Sequence, residues 1–134
     1  MVNVGAKPAQ RRRAVATGKL ICAPATIRAL QKKALPKGDA LTVAQVAGIQ
    51  AAKRTSDLIP LCHPLGLSCV EVTFKVRPNA IEIFCTAETI AQTGVEMEAL
   101  SGVCVAALTL YDMCKAVDKK MCIEGIRVIK KIKE

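Results

Sequence analysis

The chain has 134 residues, of which 51% are hydrophobic and 23% charged, and this composition excludes a largely disordered protein. Lys and Arg number 20 against 11 Asp and Glu, so the net charge is +9 and the surface should attract nucleic acid, anionic lipid or phosphorylated metabolites. No uncharged apolar run reaches the roughly 18 residues of a membrane span and no signal peptide is evident, so we expect one soluble, cytoplasmic domain over residues 1–134.

The first part of the chain predicts a strand followed by two helices. A basic cluster leads into weak apolar alternation over residues 11–22, which favours a strand. Pro24 suits the first turn of a short helix that ends near residue 33. Residues 36–39 form a turn in which Asp39 can cap a second helix, over about residues 40–54. Small residues at helical spacing along that second helix would let another backbone approach closely.

A stiff loop and a hairpin are predicted next. Residues 58–65 are apolar but contain two prolines, each of which disfavours helical geometry in the residue before it. We therefore expect an extended, rigid loop there. Apolar residues alternate over 70–76 and over 81–85, on either side of a turn at 77–79, which predicts a β-hairpin with one buried face.

The last part predicts the longest helix and a closing strand. Residues 93–96 (Thr-Gly-Val-Glu) match the capping-box pattern, and apolar residues at helical spacing continue to about Lys115. Residues 123–132 then read as a strand with basic residues on one edge. The order of elements predicts an α+β sandwich of ferredoxin-like kind, with helices on one face of a mostly antiparallel sheet.

The seven cysteines predict neither a metal site nor a disulfide framework. Their number is odd, no two form a Cys-x-x-Cys pair, and the chain has one histidine. Most fall in apolar segments, where a free thiol acts as a small hydrophobe. A reducing compartment fits this pattern best.

His63 and Cys62 lie together in the stiff loop. His63 is the one side chain whose ordinary pKa lies near neutrality, and a rigid loop positions a reactive group well. The alternative is a core histidine that is hydrogen-bonded to the backbone. A Cys62–His63 dyad is disfavoured because adjacent residues of an extended segment point to opposite sides. A thiol redox protein built on Cys62 is a further alternative, which requires a lowered pKa for that thiol.

Several charged residues near helix ends have both a functional and a structural interpretation. Asp112 and Lys115 share a helix face, either as an acid and base or as an ordinary surface ion pair. Lys37 lies near a predicted helix start, where free backbone amides can bind a phosphate. The alternative is that Lys-Gly-Asp at residues 37–39 is only an ordinary turn sequence. Glu96 is either a functional residue or simply the fourth residue of the capping box. Glu98 has no such structural explanation.

The predicted long helix separates two of these groups. Glu98 and Asp112 are 14 residues apart, or about 21 Å along a helix at 1.5 Å per residue. Both cannot touch one small ligand from the same chain. If both are functional, the protein has two sites or a second copy completes one site.

Taken together, the chain resembles the cyclic pyranopterin monophosphate synthase family, the C proteins of molybdenum cofactor biosynthesis. The resemblance covers nearly the whole chain and rests on MVNV (1–4), KGD (37–39), AGIQAAKRT (47–55), DLIPLCHPL (57–65), QTGVEMEAL (92–100) and AALTLYDMCKAV (106–117). Two positions depart from the family pattern: Asn3 stands where the family usually has Asp, and residues 132–134 replace the start of a Gly-rich tail.

The resemblance implies an activity and a set of site residues. The family converts 3′,8-cyclo-7,8-dihydro-GTP into cyclic pyranopterin monophosphate and releases pyrophosphate, with no cofactor and no metal, in a homohexamer built as a trimer of dimers with sites between chains. The implied catalytic residues are Asp112, Lys115 and Lys37. The implied substrate-binding residues are Leu61, Cys62, His63, Glu96, Met97, Glu98, Lys53, Lys131 and Arg12.

The competing interpretation is a non-catalytic, basic, ferredoxin-like module that binds RNA or a protein. The charge of +9 and the basic residues near both ends favour it. Against it stand the aromatic content of 2% and the position of His63, Asp112 and Lys115 in apolar segments. We therefore expect a small-molecule substrate, with neither nucleic acid nor membrane as the partner.

Overall fold

The computed structural model describes residues 1–134 as one antiparallel sheet with helices packed against it. The elements in chain order are β1 (Gln10–Ile21), α1 (Pro24–Gln31), α2 (Ala40–Lys53), α3 (Thr55–Leu58), β2 (Cys69–Arg77), β3 (Ala80–Ala91), α4 (Glu96–Cys114) and β4 (Cys122–Lys133). The strand order is β2-β3-β1-β4, and every neighbouring pair is antiparallel. The predicted ferredoxin-like α+β sandwich is confirmed.

The core lies between the sheet and its helices. Along β1, Ala14, Ala16 and Leu20 are buried at alternate positions, as expected for a strand with one covered face. Helix α4 packs on β1 and β3, and α2 packs on α4 and β2. The predicted hairpin is confirmed as β2 and β3, joined at residues 78–79.

Two glycines allow α2, α4 and the sheet to approach closely. A Cβ atom at Gly48 would lie 2.9 Å from the carbonyl oxygen of Gly102, and one at Gly102 would collide with the Cys85 side chain. The prediction that small residues of α2 let another backbone approach closely is therefore confirmed at Gly48, which lies against the backbone of α4. Helix α4 is thereby held close to both α2 and the sheet around Gly102.

Helix α4 has the length and hydropathy of a possible membrane span, with 56% of its apolar window buried inside the protein. A core helix of a globular fold has the same properties. Its packing between α2 and the sheet accounts for them here.

The predicted start of α4 and the predicted loop need correction. The capping-box prediction is wrong: Val95 is the N-cap of α4, no side chain caps this end, and Glu96 is the first helical residue. Residues 55–58 form a short helix, α3, between the predicted second helix and the predicted loop, so that residue 58 is helical rather than the first residue of the loop. The chain from 59 to 68 has no regular secondary structure, in agreement with the effect of its prolines.

Candidate functional site

A cluster of two lysines and an aspartate lies at the carboxyl end of α4. Lys37 Nζ is 2.6 Å from Asp112 Oδ2, and Lys115 Nζ is 2.8 Å from Asp112 Oδ1. The three side chains are about half exposed. We call them the cationic end of α4, because two positive charges share one carboxylate.

The turn before α2 fixes Lys37 in this cluster. Gly38 has φ +98°, in the left-handed region that favours glycine, and Asp39 follows it as the N-cap of α2. The Asp39 carboxylate accepts hydrogen bonds from the amide and hydroxyl of Thr42, which lower its pKa. The predicted cap is confirmed, and the turn that it ends places Lys37 in contact with Asp112 at the end of α4.

The ion pairs change the acidity of both partners at this end. Hydrogen bonds from Lys115 and then from Lys37 lower the pKa of Asp112 to about 2. Conversely, the hydrogen bond with Asp112 raises the pKa of Lys115. Asp112 is therefore ionised at neutral pH, and it holds two ammonium groups that an incoming anion can engage.

A second group of predicted residues lines a cavity at the amino end of α4. The cavity has a volume of about 170 Å³ and is lined by Leu61, Cys62, His63, Leu65, Thr93, Gly94, Glu96, Met97 and Glu98. We call it the enclosed end of α4. Leu65, Thr93 and Gly94 were not predicted as site residues, although each lies within a segment that carries the family resemblance.

The loop that forms one wall of this cavity is tied to β3. Thr89 Oγ1 donates to the Gly66 carbonyl at 2.5 Å, and the Ser68 amide donates to the Glu88 carbonyl at 2.8 Å. His63 Nε2 donates to the carbonyl of Val2 at 2.7 Å, which brings the first residues of the chain against the loop. The alternative of a buried core histidine is not supported, because His63 lines the cavity and is partly exposed.

A bulge in β4 decides which lysine reaches the enclosed end. Ala16 pairs with Val128, but the register shifts by one residue, so that Ala14 pairs with Lys131 rather than with Lys130. Directly paired residues share a face of the sheet, and Ala14 faces the helices. Lys131 therefore lies on the helix side, where its Nζ is 2.5 Å from Glu96 Oε1.

Arg12 also lies on the helix side, two residues before Ala14 on β1. Its guanidinium donates to the carbonyl of Gln92 at 3.2 Å, just before the start of α4. Its Nε is buried without a hydrogen-bond partner. Arg12 and Lys131 together supply positive charge to the edge of the enclosed end.

The two glutamates of the enclosed end differ in their surroundings. Burial is the largest single influence on Glu96 and would raise its pKa, but the hydrogen bond from Lys131, the amide of Glu96 itself and the charges of Lys131 and Arg12 together lower that pKa. Glu98 is only 4% exposed and has no cationic partner. Burial raises the pKa of Glu98, and the nearby charge of Glu96 adds to the shift.

The thiol redox alternative conflicts with the structure. Burial, followed by the charge of Glu98, raises the pKa of Cys62, whereas a reactive thiol needs a lowered one. All seven cysteines are free.

The structure separates the predicted residues into these two ends and leaves one outside both. Lys53 lines a different cleft, together with Ile49, Leu65, Leu67, Ser68, Cys69 and Val70. Glu98 and Asp112 lie on the same continuous helix, so the distance of about 21 Å between them applies. Within one chain the two ends are separate.

Comparison with known proteins identifies close relatives. The MoaC family profile matches residues 1–133. The chain is 56% identical over 133 residues to the cyclic pyranopterin monophosphate synthase of Chloroflexus aggregans, which covers 98% of this chain and 81% of that protein. It is 54% identical over 127 residues to cyclic pyranopterin monophosphate synthase 1 of Mycobacterium bovis, covering 94% of this chain and 75% of that protein.

A longer relative contains a similar region. The molybdenum cofactor biosynthesis bifunctional protein of Chlorobaculum tepidum is 55% identical over 128 residues, covering 96% of this chain and 41% of that protein.

Proposed function

The chain belongs to the MoaC family, and we propose that it converts 3′,8-cyclo-7,8-dihydro-GTP into cyclic pyranopterin monophosphate with release of pyrophosphate. The observation that supports this most strongly is 56% identity, over 98% of the chain, to a protein named cyclic pyranopterin monophosphate synthase. The activity places the chain in molybdenum cofactor biosynthesis as an enzyme.

The proposed reaction requires proton transfers and stabilisation of negative charge. The reduced purine ring opens and closes again as a pyrazine, which moves protons between nitrogen, carbon and oxygen. A sugar hydroxyl then bonds to the α-phosphorus, the bond from that phosphorus to the bridging oxygen breaks, and pyrophosphate leaves. No redox change occurs between substrate and product, so we propose that the enzyme uses no cofactor and no metal.

We assign proton transfer and charge stabilisation to the cationic end of α4. Lys37 and Lys115 both contact Asp112, so the carboxylate holds two ammonium groups at fixed positions. A triphosphate could take these lysines as partners, which would free Asp112 to accept a proton. The ammonium groups would then stabilise the charge that develops on the departing pyrophosphate.

We assign binding of the bicyclic ring system to the enclosed end. Leu61, Cys62 and Met97 offer an apolar wall, and His63 and Glu98 offer polar groups beside it. Lys131 and Arg12 supply positive charge at its edge. We propose that Lys53, although it lies in a separate cleft of this chain, also contributes to the complete site, as the family resemblance implies.

We further propose that each active site is shared between chains. The enclosed end has a volume of about 170 Å³, whereas pockets that hold whole small molecules usually measure about 300–1,000 Å³. The remaining surface would come from the cationic end of a second copy, because one straight helix keeps its own two ends apart. A homohexamer arranged as a trimer of dimers would provide such pairs, and two-fold contacts are the commonest symmetric arrangement.

The remaining assignments also follow from this function. We propose that the chain acts as a single domain in the cytoplasm and that its partner is a nucleotide-derived small molecule rather than nucleic acid or membrane. The charge of +9 would steer a triphosphate toward the protein.

Turnover of the cyclised dihydro-GTP tests the proposed function. The substrate is made enzymatically and incubated with the protein, and both the pyranopterin and pyrophosphate are quantified. We expect the two products in equal amounts, and none from a matched Asp112→Asn protein. Failure of the folded wild-type protein to form either product would refute the proposal.

A salt-dependent filter-binding assay with RNA tests the competing interpretation. A basic RNA-binding module should bind RNA with an affinity that falls steeply as the salt concentration rises. We expect weak binding that the substrate displaces. Tight RNA binding by a protein without turnover would favour the binding module.

A further inference from the structure

The segment of residues 1–5 lies against the loop that carries His63, and a further cavity opens between them. This cavity has a volume of about 400 Å³ and is lined by Met1, Val2, Asn3, Val4, Gly5 and His63. His63 is the one residue that lines both this cavity and the enclosed end of α4. The imidazole ring therefore stands between the enclosed end and the segment of residues 1–5.

A single hydrogen bond connects this segment to a residue distant in sequence. Val2 is 74% exposed, so burial of its side chain does not hold the segment in place. A turn folds the segment locally, because the Gly5 amide donates to Asn3 Oδ1 at 2.9 Å. The connection to the loop is made by His63 Nε2, which donates to the main-chain carbonyl of Val2 at 2.7 Å. The contact is thus directed at the ring of one particular side chain.

The nature of the acceptor fixes the protonation of the His63 ring. A carbonyl oxygen can only accept a hydrogen bond, so Nε2 must carry the proton. In the neutral ring Nδ1 is then bare, and it is the nitrogen left to accept a hydrogen bond or a proton. Without the carbonyl, the ring could exchange between its two neutral forms and rotate about its Cβ–Cγ bond. The carbonyl therefore selects one form and one orientation.

We propose that the main-chain carbonyl of Val2 is a positioning group for His63, which it holds with Nε2 protonated and with Nδ1 bare for use at the enclosed end. The inference rests on the proposed function, since the ring is taken to act on the substrate of that reaction. The segment of residues 1–5 then belongs to the active site without touching the substrate. Val2 acts through His63 alone.

The proposed reaction gives this arrangement a use. Nδ1 can take a proton from a nitrogen or hydroxyl of the substrate, whose electron pair stays on the substrate, and can return that proton after the ring system has rearranged. While it holds the proton, the imidazole is a cation. The carbonyl already bonded to Nε2–H stabilises this cation, because hydrogen bonds from charged donors are stronger than those between neutral groups. A base oriented by a third group is a common arrangement in catalysis.

Nuclear magnetic resonance of the ring N–H tests the hydrogen bond directly. The chain has one histidine, so the ring signals of protein labelled with ¹⁵N-histidine belong to His63. We expect the wild type to show an Nε2–H proton that is protected from exchange with water. Deletion of residues 2–4 removes the carbonyl and should abolish this signal. Lys7→Ala is the matched control, because Lys7 is exposed and follows the segment closely, and it should keep the signal.

Turnover of the cyclised dihydro-GTP tests the role in catalysis. The deletion should lower kcat about 10–100-fold, the range for loss of a group that orients an active-site histidine, and should change KM little. Lys7→Ala should keep wild-type turnover. In a His63→Ala background the same deletion should have no further effect, because the carbonyl acts only through the ring. A merely structural role would lower activity equally in both backgrounds.

Four results would overturn the proposal: no protected ring N–H in the wild type, a protected ring N–H that survives the deletion, turnover unaffected by the deletion, or an equal loss of activity in the His63→Ala background. The wild-type spectrum decides the matter if the deleted protein does not fold. Turnover unaffected by the deletion would leave the proposed function intact. A folded wild type without turnover would refute the proposed function and, with it, the use of His63 in turnover.

Discussion

The two ends of α4 use acidic residues in opposite ways. At the cationic end, Asp112 is half exposed, paired with two lysines, and has a pKa lowered to about 2. At the enclosed end, Glu98 is buried and unpaired, and its pKa is raised. The same kind of group is therefore held as a permanent anion at one end and made less acidic at the other.

The difference shows how one helix can serve two parts of a reaction. Exposed, paired charges suit the binding and release of a highly charged leaving group, while an enclosed carboxylate suits selective contact with an uncharged ring. The helix holds the two environments about 21 Å apart, between Glu98 and Asp112. Under the proposed function neither end alone would supply all the contacts for the substrate, which is why we propose that two chains form each site.

The largest expected effect is loss of turnover when the cationic end is altered. Asp112→Asn or Lys115→Ala should reduce product formation by about 10²–10⁴-fold, the usual contribution of acid–base groups, while the substrate still binds. Both changes lie at an exposed helix end and empty no core, so the circular dichroism spectrum should be unchanged and each variant should still unfold cooperatively.

Lys119→Ala is the matched control, because Lys119 is exposed and four residues beyond Lys115, and it forms no ion pair. It should keep wild-type turnover. Activity of Asp112→Asn or Lys115→Ala within about threefold of wild type would remove the residue from the mechanism.

The second prediction joins the two ends across chains. Inactive Glu98→Ala and Asp112→Asn proteins, mixed after subunit exchange, should recover activity, because some sites would receive an intact enclosed end from one chain and an intact cationic end from the other. With equal, random mixing of two-fold pairs, about a quarter of the sites would be intact.

Product formation by the mixture is compared with that of each parent, and subunit exchange is verified with chains of different mass. Persistent inactivity of verified mixed dimers, or sedimentation of the active enzyme as a monomer, would exclude shared sites.

The third prediction compares one lysine from each end. We expect Lys37 and Lys131 to contact the triphosphate, so replacement of either by Ala should weaken binding of substrate and of pyrophosphate by about 10–100-fold, the range for hydrogen bonds to charged groups. Wild-type affinity should also fall between low and physiological ionic strength, because exposed charges are screened.

Binding is measured calorimetrically, and Lys130→Ala provides the matched control, since Lys130 is adjacent in sequence but lies on the other face of β4. Affinity that is insensitive to both replacements and to salt would contradict the assignment.

The smallest expected effect concerns stability against pH. Because burial raises the pKa of Glu98 above 4.5, the folded wild type loses stability as the pH rises through that raised pKa. Glu98→Gln should therefore be more stable than wild type at neutral pH, and the advantage should shrink as the pH falls toward 4.5.

The stability of Asp112→Asn should depend on pH in a different way from that of Glu98→Gln. The ion pairs of Asp112 contribute above its ordinary pKa of 3.8 and are lost as the pH falls toward about 2. The stability difference between Asp112→Asn and wild type should therefore be constant from pH 4.5 to 8. Urea unfolding across this range checks both, and a Glu98→Gln advantage that does not change with pH would contradict the raised pKa.

The local sequence was sufficient to predict most of the elements and the sandwich. Alternating apolar residues predicted the β2–β3 hairpin, and Asp39 predicted the cap of α2, because burial on one face and capping leave local patterns. The capping box at residues 93–96 failed for a tertiary reason. Glu96 pairs with Lys131 of β4 instead of capping its own helix.

The sequence by itself determined the fold class, the family resemblance and the separation of Glu98 from Asp112, since these depend on periodicity, motif order and helix rise. Only the tertiary structure decided that Lys131 rather than Lys130 faces Glu96, because a one-residue bulge in β4 exchanges the two faces of the strand. It also decided that Glu98 is buried without a partner while Asp112 holds two lysines. Burial and pairing depend on segments distant in sequence, and no local pattern encodes which of them will meet.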